Sequence, residues 1–229
     1  MLNRFIYLFV WFGLLWSCDE ATINPDENRL GLEYFPLETG RYSVYDVQEV
    51  NYSILGSDTS NYQLRQSVVD SFLNAENNFT YILNREVRTS DNEQWSLDSV
   101  WTARRSTSIG VVNENNVAFI KLVFPIENDL TWDGNKLNKN VSEQYRYDLE
   151  LADTTVFNTE YKNVVRVIQS DVPENLVNRD ERQEIYARDV GLLIKNSIIL
   201  GFCTQDCPAE KTIESGRSIQ MTLMEHGKN

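Results

Sequence analysis

The segment "EQYRYDLEL", Glu143–Leu151, places Tyr145, Tyr147, Leu149 and Leu151 on one parity and Gln144, Arg146, Asp148 and Glu150 on the other. Side chains alternate across a strand, so this stretch predicts a β-strand with one buried face and one wetted face. The same period of two recurs in Tyr62/Leu64/Val68/Phe72, Phe79/Tyr81/Leu83/Val87, Trp95/Leu97/Trp101 and Ile219/Met221/Leu223. No helical stripe of useful length competes with it after the first thirty residues. The expectation is an all-β chain forming one antiparallel domain over 31–229, either a strongly curved sheet closing partly into a barrel or a two-sheet sandwich.

Two stretches are apolar on both parities, "NVAFIKLVF" (Asn116–Phe124) and "GLLIKNSIIL" (Gly191–Leu200), and both are expected as central strands. Pro125 should end the first, because it has no N–H for the ladder. In "YSVYDVQEVNYSI" Tyr42 and Val44 lie on one parity, Tyr45 and Val47 on the other, and Val50, Tyr52 and Ile54 return to the first, which predicts a bulge near Asp46–Glu49.

The chain opens differently. "RFIYLFVWFGLLWSC", Arg4–Cys18, is one cation, an apolar run and a cysteine. As a helix, about twelve residues would span roughly 18 Å, too little for a hydrocarbon core of about 30 Å. These are the parts of a secretory signal peptide. Leu15-Trp16-Ser17-Cys18 resembles a bacterial lipobox, with Trp16 an uncommon occupant of its variable position. The expected division is a signal peptide at 1–17, an acylated Cys18 with a polar tether over 18–30, and the β-domain beyond. Several acyl chains on Cys18 would hold the protein to lipid, at about 0.8 kcal/mol per buried CH₂.

"YFPLETGRYSVYDV", Tyr34–Val47, resembles the opening of a group of Gram-negative envelope lipoproteins, as do "LDSVWTARR", "KLVFPIE" and "YARDVGLL". In that group Asn and Trp are usual where this chain has Arg41 and Ser43. The resemblance implies an envelope location, the outer membrane first, and a β-rich fold. It implies no activity, substrate or catalytic residue.

A formal charge of −13 makes nucleic acid an unsuitable partner. Cys203 and Cys207, in "GFCTQDCP", are the thiols left once Cys18 is acylated, and an oxidising compartment would let them form a structural disulfide. His226 is the only histidine and is expected in a frayed tail, so no histidine-based catalytic pair is built and no metal set is assembled. Glu127, Asp129 and Asp133 surround a turn rather than a calcium loop. Trp95, Trp101 and Trp132 are either core or a platform for a sugar or an apolar molecule. No cofactor is expected. The leading expectation is a non-enzymatic binding or scaffolding module whose partners are membrane lipid and another envelope protein or a ligand. The alternatives are a carrier with an apolar β-cavity and a carbohydrate-active enzyme using paired carboxylates.

Overall fold

A computed structural model describes residues 27–75, 77–209 and 211–229. Cys18, the 1–17 leader and the tether as far as residue 26 lie outside the described residues. The described chain begins with a single helical turn, Glu27–Leu30, and a 3₁₀ turn, Leu32–Tyr34. The strands that follow are β1 (Arg41–Ser53), β2 (Gly56–Leu73), β3 (Phe79–Arg88), β4 (Ser96–Arg105) and β5 (Ile109–Glu114). Next come β6 (Val117–Val123), β7 (Thr131–Asp133), β8 (Gln144–Asp148), β9 (Asp153–Val156) and β10 (Thr159–Lys162). The chain ends with β11 (Val165–Val172), β12 (Asn178–Ala187), β13 (Gly191–Phe202) and β14 (Ile213–Lys228).

Twelve strands form one antiparallel sheet in the order β6-β5-β4-β3-β2-β1-β14-β13-β12-β11-β8-β7, and β9 pairs with β10 in a separate hairpin. The fold is therefore all-β, and the large sheet curls until its two ends meet. Side chains make most of the join. The Trp132 indole N–H donates to Ile120 O at 3.0 Å, Asn138 Nδ2 donates to Ala118 O at 2.9 Å, and the Ile120 N–H donates to Gly134 O at 3.0 Å. Tyr147 Oη takes the Val123 N–H at 2.9 Å and donates to Val123 O at 2.7 Å. The free edge of β6 is thus satisfied without a regular ladder, which a buried edge requires. Of a barrel and a sandwich, the molecule is a nearly closed barrel.

Several expectations are corrected by this topology. β6 lies at an end of the sheet rather than in its middle; it is apolar on both faces because the join buries its edge. β13 is internal, between β12 and β14, as its composition predicts. β8 keeps the expected alternation, with Tyr145 and Tyr147 buried, but ends at Asp148, so Leu149 and Leu151 lie beyond it. The phase slip in β1 has its irregularity at Val44/Tyr45, where β14 skips Met224, and Asp46–Glu49 pair regularly on both sides. His226 is not in a frayed tail. It pairs with Ser43 inside β14, and the end is tied by Asn229 N–H to Gly40 O at 2.9 Å.

One pole of the barrel is sealed by the entering chain. Leu32, Tyr34 and Phe35 are buried in the larger apolar cluster with Val68, Leu83 and Ala103. Arg105 fastens this plug by donating to Leu32 O at 2.7 Å and Phe35 O at 2.9 Å, while Glu33 O accepts from the Asp189 N–H at 2.8 Å. A side chain at Gly110 would meet the Phe35 ring at 3.0 Å, so the glycine lets the plug seat. Near the join, a Cβ at Gly134 would fall 2.2 Å from the buried Tyr145 ring. Overpacking of this kind costs about 1–3 kcal/mol. Gly134→Ala is expected to lower stability by at least that range in urea unfolding; an unchanged midpoint would show that the ring moves freely.

Candidate functional site

Behind the plug lies a cavity of about 440 Å³. Its walls are the inward parity of the sheet, from Phe35 and Pro36 at the plugged pole to Glu49, Tyr62 and Arg217 toward the other. A volume of 300–1,000 Å³ is that of ordinary small-molecule sites. Leu64, Val68, Leu83 and Met221 supply apolar wall, and the polar groups fall into distinct clusters.

The first cluster is buried. Lys121 Nζ lies 2.8 Å from Glu114 Oε1 and 3.0 Å from Glu184 Oε1, and Lys195 Nζ lies 3.5 Å from the same Glu184 oxygen. The Tyr186 hydroxyl donates to the other Glu184 oxygen at 2.6 Å. Burial alone would raise the Glu184 pKa, but the two lysines and the tyrosine O–H outweigh it and hold the carboxyl at about 2. Glu114 is lowered by the same balance. Lys121, desolvated yet flanked by both acids, is pushed above the usual lysine range. Tyr45, on the same inner wall, is raised to about 12 by burial. The second cluster is Arg217, which lies 2.7 Å from Glu49, with the Tyr62 hydroxyl donating to that Glu49 oxygen at 3.2 Å.

Arg85 stands apart from both. Its guanidinium carbon sits 3.5 Å from the centroid of the Trp101 ring, and its Nε is buried without an acceptor. No hydrogen bond or ion pair joins this guanidinium to another described residue. Its cross-strand neighbours, Gln66 and Ser99, are uncharged. Burial lowers its pKa, and Glu114 and Asp98 oppose that from beyond ion-pair distance.

The three tryptophans separate. Trp101 lines the cavity, and its indole N–H donates to Asn115 Oδ1 at 3.2 Å. Trp95 is on the outside, under the guanidinium groups of Arg65 and Arg88 at 4.8 and 4.4 Å. The expected shared face is broken by a bulge: Arg85 pairs with Ser99 but Glu86 with Leu97, so Asp98 is the extra residue and the parity reverses across it. Trp132 belongs to the core, 4.6 Å from Tyr147 and 6.0 Å from Tyr145, and offers no exposed platform. Cys203 and Cys207 form a disulfide with Cα atoms 5.6 Å apart, in the β13–β14 connection at the pole opposite the plug. Asp133, grouped from sequence with Glu127 and Asp129, accepts the backbone N–H groups of Asn135 at 2.9 Å and Glu143 at 3.1 Å, which is turn chemistry.

Sequence reasoning did not single out Arg85, Lys121, Glu184 or Glu114. A signal was available for Arg85: in "ILNREVR" it shares its parity with Leu83 and Val87, so a charge occupies the apolar phase.

No protein-family model matches the chain, and no curated protein matches it. Among solved structures, it is similar to a Bacteroides fragilis protein described as having a YmcC-like fold and assigned as exported. The identity is 12%, the TM-score 0.46, and the match covers 85% of this chain and 98% of that one.

Proposed function

We propose that the protein is a non-enzymatic binding module of the cell envelope, held to lipid through Cys18, that receives a small molecule inside its barrel. The observation that carries this reading is the cavity of about 440 Å³, in which an apolar wall faces the Arg85 guanidinium, whose buried Nε has no acceptor among the described residues. Among the described carboxylates whose pKa is displaced, each is displaced downward. A glycosidase-type general acid needs the opposite displacement, which favours binding over hydrolysis. The signal-like leader, the lipobox-like Leu15–Cys18 and the polar tether support the location.

Native mass spectrometry of the protein taken from its own membranes without delipidation tests the binding. A bound small molecule released on unfolding is the expected result, and repeated recovery of empty protein would overturn it. The anchor is tested separately. Cys18→Ala is expected to keep the leader and lose the acyl mass, and an intact mass that shows the parent cleaved without acyl chains, or uncleaved like the variant, would exclude acylation.

A further inference from the structure

We propose that Arg85, presented on the Trp101 ring, is the docking point for the acid group of an amphipathic ligand whose apolar body lies along the Leu64, Val68, Leu83 and Met221 wall. This rests on the reading of the barrel as a ligand holder and names what it holds. An arginine carries five N–H donors in a planar fork that matches the oxygens of a carboxylate or phosphate ester. The guanidinium carbon lies over the Trp101 ring at 3.5 Å, a cation–π contact that supplies no oxygen acceptor to its N–H donors. Leaving a buried donor unmade is costly, and Nε is such a donor.

Most of the other cavity charges are in ion pairs, and Arg41, at the plugged pole, donates to Asp189 O. Glu49 faces Arg217, and Glu114 and Glu184 face Lys121 and Lys195. Asp98 is the remaining acid on the wall; it accepts from Ser99 Oγ at 2.8 Å and forms no ion pair with Arg85. A neutral apolar molecule would leave the guanidinium fork unpaired, and a cationic one would be repelled by it. An oxygen acid on an apolar chain satisfies both the fork and the wall.

Isothermal titration of the delipidated full domain with decanoate, decyl phosphate and decanol separates these terms. At least one of the two acids is expected to bind more than tenfold tighter than decanol. Arg85→Met should weaken that acid roughly tenfold to a hundredfold, the range for losing a charged hydrogen-bonding partner, and leave decanol within twofold. The comparison of acid with alcohol on the unmodified protein does not depend on the variant folding. Equal affinities for acid and alcohol would overturn the role of Arg85 while the barrel still binds. If none of the three binds but native mass spectrometry finds another occupant, the ligand class is overturned and the barrel reading stands. If that also finds the protein empty, both fall.

Discussion

Lys121→Met is expected to remove about 3–5 kcal/mol of stability, measured as a fall in the urea midpoint at unchanged slope. The ammonium lies within 3.0 Å of the buried Glu184 carboxylate and the half-buried Glu114 carboxylate, and only Lys195, at 3.5 Å from Glu184, remains after the change. The cost comes chiefly from leaving negative charge in a place where water cannot reach it. A double variant, Lys121→Met with Glu184→Gln, should recover part of the loss, because an uncharged amide replaces one stranded charge. If the single variant were as stable as the parent, the cluster would be better hydrated than its burial indicates.

The same cluster sets an acid response. Glu184 has a folded pKa of about 2, below the ordinary glutamate value of 4.5 found in the unfolded chain. The unfolded state therefore takes up its proton first as pH falls. The stabilisation is fully present above about pH 4.5 and declines as pH drops toward 2. Glu114, also lowered, acts in the same direction. In Glu184→Gln the slope of stability against pH across that window should become shallower.

Trp132→Ala is expected to cost about 3–5 kcal/mol, as large-to-small changes at buried aromatic sites do. The loss has two parts that can be separated. Trp132→Phe keeps most of the packing against Tyr145 and Tyr147 but removes the indole N–H that reaches Ile120 O at 3.0 Å. That leaves a buried carbonyl without a donor, worth about 1–3 kcal/mol. Amide exchange should report where the damage falls: faster exchange at Ile120 and its neighbours in β6, with β1 and β14 at the far side of the ring unaffected. Uniform acceleration around the barrel would mean that the join does not behave as a separate weak point.

The alternation of Tyr145 and Tyr147 with Gln144 and Arg146 makes the strand class legible, because burying one sheet face imposes a period of two on the sequence. The hairpins and their order follow less directly, and barrel closure is not legible at all. It depends on Trp132, Asn138 and Tyr147 acting as hydrogen-bond partners for an edge, and nothing in their local sequence marks them for it. The bulges are hard to place for a related reason. An extra residue at Asp98 or Met224 shifts the parity downstream of it, and a single sequence offers several places to absorb the shift. Trp95 and Trp101, six positions apart, therefore look like neighbours on one wall and lie on opposite sides of it. The site is partly legible: a charged residue in the apolar phase, such as Arg85 beside Leu83 and Val87, stands out from the alternation alone. Which acid each base meets is not, because Lys121 and Glu184 are 63 residues apart and come together only through the curl of the sheet.

The plug formed by Leu32–Leu37 makes the barrel a cup whose base is a separate piece of chain, stitched to the wall by Arg105 and Asp189. That base is continuous with the helical turn Glu27–Leu30 at the start of the described residues. A pull on that segment would be felt at the bottom of the vessel before any wall strand yields. In the proposed ligand holder, mechanical tension and the dwell time of a guest would therefore be linked through one short run of backbone.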